Sequence, residues 1–197
     1  MRYPVEQKAE THQKIVAAAA RSFRRRGSES NGIARFMKEL GLTHGGFYRH
    51  FESKDDLYVE AVARSFEEVA DWLIAAAEAA PKGQELRAII ERYLSVEHLN
   101  DPGKGCVLAA LAPEIARQPV EVRARINKAM RAFMERMLPY VPGRDPIEKL
   151  GQFFVLFPGM AGVLVFARAM ADPQVRERVL GAAKSFYLKT FTEKIAA

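Results

Sequence analysis

Residues 42–56 read LTHGGFYRHFESKDD. Between His44 and Phe51 the chain carries two glycines, two histidines, an arginine and the rings of Phe47, Tyr48 and Phe51. A buried core segment would not be this polar, and a flexible loop would not hold so many aromatics. The flanks resolve the puzzle. Residues 33–40 have the apolar spacing of a short helix, and Gly41 can take the φ > 0 conformation that turns the chain out of it. Thr43 is placed to cap a second helix running to about residue 51, and Ser53 to cap a long one over about 54–80, with Asp55 and Asp56 favouring its dipole. A preceding helix over about 8–26 carries one stripe of Ile15, Val16, Ala19, Ala20 and Phe23, and Gly27 stops it. Two short helices around a glycine-containing turn, with a third packed across them, describe a helix-turn-helix.

The side chains suit that role. Phe36, Leu40, Leu42 and Phe47 are spaced to fill a small core. Thr43, His44, Gly45 and Gly46 begin the second helix, the end that enters the major groove in such motifs. The two glycines are expected to remove side chains where the backbone approaches DNA. Tyr48, Arg49 and His50 are expected to face outward, with donors for phosphates or base edges. Lys54 adds a cation at a helix N-terminus suited to a phosphate.

Charge supports a polyanionic partner. The 197-residue chain has a net charge of +6, and residues 1–54 hold eleven Lys and Arg against five Asp and Glu, so the whole excess lies there. The remainder is neutral, with 19 of each sign. A basic solvated face with no partner would give the same count.

Nearly everything else also reads as helix, because strand-like alternation is absent and helix formers dominate. Further helices are expected over about 85–100, 105–117, 120–138, 146–170 and 173–195, separated by proline- and glycine-containing breaks. The fold class is all-α, about nine helices, divided into residues 1–52, the helix-turn-helix domain, and 53–197, a larger helical domain.

The stretch GIARFMKELGLTHGGFYRHFESKDDLYVEAV resembles the helix-turn-helix of the TetR family of transcriptional regulators. The glycine after the first short helix, the Phe47-Tyr48 pair, and Phe51 followed by Ser53-Lys54 and Leu57 carry the likeness, over about residues 10–62. Met37 departs from the small residue common in the family, and His44 replaces the commoner lysine, which makes a contact there pH-sensitive. The resemblance implies a cytoplasmic homodimer built on the last two helices and a double-stranded, pseudo-palindromic operator. It also implies a repressor that a small-molecule effector releases from DNA by acting on the larger domain.

Residues 153–171 are apolar around most of the helix circumference, interrupted by Pro158 and Arg168, and read as a buried or dimer-facing helix rather than a membrane span. Pro158 is expected to kink it, and Gly159, Ala161 and Gly162 to allow close helix approach. Trp72, Met130, Phe133, Met134, Phe153, Phe157 and Met160 are either core or the lining of a site for an apolar or aromatic effector. Arg168 would pair a ligand carboxylate, sit in an ion pair or snorkel. Cys106, the single cysteine, stands near a helix start beside Lys104. It is either a packing thiol, a pocket residue, or a switch thrown by oxidation or alkylation. One cysteine fits a reducing compartment. The histidines His12, His44, His50 and His98 lack metal-ligand spacing, and no phosphate loop or nucleophile constellation is present, so neither an enzyme nor a cofactor is expected. A helical dimer that binds nucleic acid without sequence preference is the remaining alternative.

Overall fold

The computed structural model describes residues 5–28 and 32–193. Among them there is no strand, and ten α-helices form: α1 Val5–Arg26, α2 Ile33–Glu39, α3 His44–Phe47, α4 Lys54–Glu78, α5 Glu85–Tyr93, α6 Val96–Asn100, α7 Val107–Arg117, α8 Val120–Met137, α9 Pro146–Ala169 and α10 Pro173–Thr192. Single 3-10 turns, Pro102–Lys104 and Leu138–Tyr140, precede α7 and follow α8. The expected helix end near residue 195 lies outside the described residues.

Two apolar clusters organise the chain. The smaller joins Ile15, Val16, Ala19 and Ala20 of α1 to Phe36 and Met37 of α2, Phe47, Phe51, and Leu57 and Ala61 of α4. The larger starts on the same α4 with Val62, Phe66, Val69 and Leu73 and gathers residues from α5 to α10. Phe23 packs against both, with its ring 6.4 Å from Phe36 and 5.9 Å from Tyr58. We call the smaller unit the head and the larger one the body.

Polar contacts tie α1 and the turn after it to the body. Arg24, buried, donates to Glu68 at 2.6 Å, and Glu68 also receives Arg64 at 2.9 Å. Arg25 pairs with Asp101 at 3.1 Å, over Gly103, where an added Cβ would meet the Arg25 side chain at 2.5 Å. Beyond the end of α1, Gly27 has φ +79°, and Ser28 donates its N–H and hydroxyl to Glu114 of α7 at 3.0 and 2.6 Å. The arginine run that closes α1 is thus engaged internally: Arg26 reaches Ser22 at 3.0 Å and Glu39 at 3.4 Å.

The helix expected over 85–100 is two helices. Leu94 leaves the helical region at ψ 47°, and Ser95, extended, caps α6 by accepting the His98 N–H at 3.1 Å. The break turns the His98 ring back into the body. Its Nε2 accepts the Cys106 N–H at 2.8 Å, so the proton resides on Nδ1, which donates to the Tyr93 carbonyl at 2.6 Å. Trp72 and Tyr93 meet the imidazole edge-on, at 5.0 and 4.9 Å. The same region explains Arg168, which lies neither in an ion pair nor free to snorkel. It donates to the carbonyls of His98 and Leu99, at 2.7 and 3.2 Å, satisfying the end of α6. Pro158 sits inside a continuous α9, and Gly159 admits the Tyr187 hydroxyl of α10, where a Cβ would collide. Gly162 faces open space.

Burial is the main force holding the His98 pKa down to about 4, with Arg168 and Arg24 adding to it. The folded state therefore keeps His98 neutral while the unfolded chain protonates it near 6.5. Stability should be fully present above about pH 6.5 and decline as pH falls toward 4, by on the order of 3 kcal/mol. Urea denaturation across this range should show that loss in the wild type. In His98→Gln, destabilised at neutral pH, this part of the pH dependence should be absent.

Candidate nucleic-acid interface

The reading edge is built by two consecutive end signals. At the C-terminus of α2 the Leu42 N–H bonds to the Met37 carbonyl at 2.9 Å and the Gly41 N–H to the Lys38 carbonyl at 3.0 Å, with Gly41 at φ +71°. This is the paired arrangement that closes a helix over a left-handed glycine. Two residues on, the Thr43 hydroxyl accepts the Gly46 N–H at 3.1 Å and starts α3. The turn between the helices is therefore fixed at both ends by hydrogen bonds rather than by length alone.

α3 is shorter than the sequence suggests. It is one α-helical turn, after which Arg49 and His50 bond three residues back, to Gly46 and Phe47, before Phe51 closes a four-residue bond to Phe47. Two glycines in the first turn lower helix propensity, and the tighter turn satisfies the same carbonyls. Phe47 and Phe51 stack at 5.3 Å and are buried, so they anchor the edge in the head core. Thr43, His44, Gly45, Tyr48 and Arg49 are exposed. Tyr48 stands out from the surface at 61% exposure, held edge-on between His44 at 5.7 Å and Phe47 at 5.2 Å.

Two expectations about side-chain direction change. Gly45 does face open space, but Gly46 is half-buried, and a Cβ there would meet the Thr43 hydroxyl at 3.3 Å. Only Gly45 clears the outer face; Gly46 makes room for the cap. His50, expected outside, is half-buried because the tightened turn rotates it toward α1, with its ring 5.9 Å from His12. His12 in turn stacks on Phe51 at 4.5 Å and bonds Glu60 of α4 at 2.6 Å. Sequence reading missed this role for His12. Its position three residues before Ile15 on a helix that crosses the motif was the available signal.

Lys54 is exposed at the first residue of α4, where Ser53 accepts the Asp56 N–H at 3.1 Å. The Ser53 hydroxyl, followed by Arg125 of α8 at 2.8 Å, holds the Asp56 carboxyl below its ordinary pKa. Arg24 is buried, and the exposed Arg25 and Arg26 are paired with Asp101 and Glu39, so the unpaired basic charge near this edge is smaller than the count implies. Lys8, Lys38, Arg49 and Lys54 are exposed without an ion pair among the described residues.

The residues singled out in the body fall on one line of rings. Phe66 meets Phe133 at 5.8 Å, Phe133 meets Phe157 at 5.6 Å, Phe157 meets Tyr93 at 6.4 Å, and Tyr93 leads to His98 and Trp72. Phe153 lies 4.8 Å from Phe157, and Met160 is fully buried in the same cluster, with Met130 and Met134 packed against it. Cys106 is 6% exposed at the start of α7, beside Tyr93.

Residues 15–61 match the family model described as bacterial regulatory proteins, tetR family. The HTH-type transcriptional regulator TtgR of Pseudomonas putida is 33% identical over 91 residues. That stretch is 46% of this chain and spans 43% of the relative's own length. Beyond it the likeness is one of fold. A TetR transcriptional regulator from Chloroflexus aurantiacus superposes with a TM-score of 0.70 at 21% identity, over 95% of this chain and 98% of that one. A transcriptional regulator from Saccharomonospora viridis in complex with choline gives 0.71 at 19% identity, over 94% and 100%. Over residues 15–61 the head that closes on Gly41 and Thr43 is similar to the TetR family of bacterial regulatory proteins, and the helical body joined to it by α4 shares the fold of the solved TetR-family structures.

Proposed function

We propose that this chain is a cytoplasmic, homodimeric repressor of transcription. Residues 1–52 read a pseudo-palindromic double-stranded operator, and residues 53–197 bind an effector and dimerise. The observation that carries this reading is the rigid edge at α3. Phe47 and Phe51 fix it from within, while Thr43, His44, Gly45, Tyr48 and Arg49 stand exposed along it. Arg49 and Tyr48 offer donors to base edges, and Lys54 and the start of α4 suit a phosphate. His50 and Gly46 support the edge from its inner side.

A second copy is the partner that the outer face of α9 fits. Phe154, Val155, Val165 and Phe166 are all at least half exposed, recur at helical spacing with Pro158 and Gly162 between them, and are joined by Phe186 of α10. By length and composition α9 is the one helix among the described residues able to cross a membrane, with a hydropathy of 1.9 over its most apolar window. A helix sandwiched between its own core and a partner has the same composition. Two-fold pairing would set two reading edges about one DNA turn apart, or a multiple of it.

The effector we infer is small and apolar or aromatic, received where the ring line from Phe66 to Trp72 crosses the body. The choline complex of the Saccharomonospora viridis regulator supports a small ligand in this fold. Inserting a ligand there displaces α6 and the turn at Asp101. The Asp101 turn bears on α1 through Arg25, so the two edges change separation and no longer fit one operator. Oxidation or alkylation of Cys106 is the rival trigger; the thiol's burial among Tyr93 and His98 favours packing. No catalytic step belongs to this reading.

Fluorescence anisotropy on a duplex selected from a randomised pool, with unrelated competitor DNA present, tests the reader. Arg49→Ala should reduce discrimination between selected and unrelated duplexes roughly 5- to 150-fold. Lys54→Ala should weaken both alike and lower the salt slope by about one. A wild type that binds all duplexes equally would overturn the reading in favour of sequence-blind binding. For assembly, sedimentation velocity should show a dimer that the double change Phe154→Asp, Phe166→Asp converts to monomer.

A further inference from the structure

The head contains a cleft of about 430 Å³ between the first turns of α1 and the reading edge, with Lys8 and Thr11 on one wall and Thr43, Arg49 and His50 on the other. No carboxylate lines it. Lys8 and Arg49 are exposed with no ion pair among the described residues, while the Thr11 hydroxyl is committed to the Gln7 carbonyl at 2.8 Å. The cleft therefore offers two unpaired cations and a hydroxyl on Thr43, with an imidazole between them.

That imidazole has an unusual setting. The His50 Nδ1 is buried with no hydrogen-bond partner, and the ring sits 6.3 Å from Phe51. The charged and titratable groups around it are Lys8 and His12 from α1, Arg49 from its own turn, and Glu60 of α4. Glu60 is engaged by His12 at 2.6 Å. Partial burial, then His12, Lys8 and Arg49, hold the His50 pKa below its ordinary 6.5. In the free head His50 is thus a neutral ring in a corner lined by cations, the arrangement an anion would complete.

We propose that this cleft seats one backbone phosphate of the operator, gripped by Lys8 opposite the wall that carries Arg49, and that His50 takes up a proton from solvent as the phosphate enters. The inference rests on the DNA-binding reading above. The phosphate favours the imidazolium, so the complex binds more protons than its parts between the free and bound pKa values. Affinity rises as pH falls through the bound value and levels off below the free one. Lys8 supplies a permanent, sequence-independent grip, and His50 adds its charge only when DNA is in place.

The test uses the full chain and the selected duplex, titrated by anisotropy across salt and across the histidine range. Lys8→Ala should flatten the salt dependence by about one phosphate, a slope change of ~0.9, equally on selected and unrelated duplexes. The wild type should gain affinity on acidification, by up to about tenfold per pH unit at its steepest. His50→Gln should lose that gain, while His12→Gln keeps it. In NMR titrations the His50 ring pKa should rise with the duplex and stay put with inorganic phosphate. An unchanged salt slope in Lys8→Ala overturns the proposal. So does an acid gain that survives His50→Gln, or one that disappears in His12→Gln. A rise in the His50 pKa with inorganic phosphate as large as with DNA would make the cleft a free-anion site and likewise overturn it. Thermal melts of each variant exclude misfolding as the cause. A wild type that discriminates among duplexes while the variants behave identically to it sinks only the phosphate seat; a wild type with no discrimination sinks the reader itself.

Discussion

Helix α4 is one uninterrupted rod of 25 residues that serves two cores. Leu57 and Ala61 close the head, and Val62, Phe66, Val69 and Leu73 open the body. It contains neither glycine nor proline, the usual sites of a sharp bend, so at ~37 Å long it carries a tilt at one end to the other. Other contacts brace that rod. Arg125 holds its first turn to α8 through Asp56, and Arg24 lays the last turn of α1 across its middle onto Glu68. The head is thus fixed by its own small core and by polar contacts with the body, not by a separate interface of its own.

How much of this was legible in the sequence depends on whether the signal is local. The motif from Ile33 to Ser53 was readable because each boundary carries its own chemistry: a left-handed glycine at 41, a hydroxyl cap at 43 and another at 53. The stripe of α1 was readable from periodicity. The break at Leu94 was not, since Glu85 to Asn100 holds neither glycine nor proline. It forms because tertiary contacts with Tyr93, Cys106 and Arg168 reward the turned-in His98 more than helical continuity would. Ser95, with its hydroxyl on the His98 N–H, was the local hint that went unread.

Charge shows the same divide. Counting placed every surplus cation in the first quarter of the chain, but a count cannot tell a surface lysine from an arginine folded inward. Arg24 is 4% exposed, and the Arg24-Arg25-Arg26 run reaches three different elements, α4, the turn before α7 and α2. Likewise, Phe133, Phe153, Phe157 and Trp72 were identifiable as large apolar residues. That they share one continuous line of rings with Tyr93 and His98 is a property of how α4, α5, α6, α8 and α9 converge.

The division of labour along the reading edge also bears on how such a protein changes over generations. His44, Tyr48 and Arg49 lie outside both cores, so under the DNA-reading role proposed for them exchanging them would alter what is read at little cost to folding. Thr43 is different. Its hydroxyl is the N-cap of α3, and serine, aspartate, asparagine or glycine can replace it cheaply there, while most other residues cannot. Gly41 is held by its left-handed backbone, and Gly46 is constrained by the Thr43 hydroxyl 3.3 Å from where a Cβ would stand. A lineage descending from this chain would therefore diversify at 44, 48 and 49 while 41, 43 and 46 stay nearly constant, acquiring new target sites on an inherited frame.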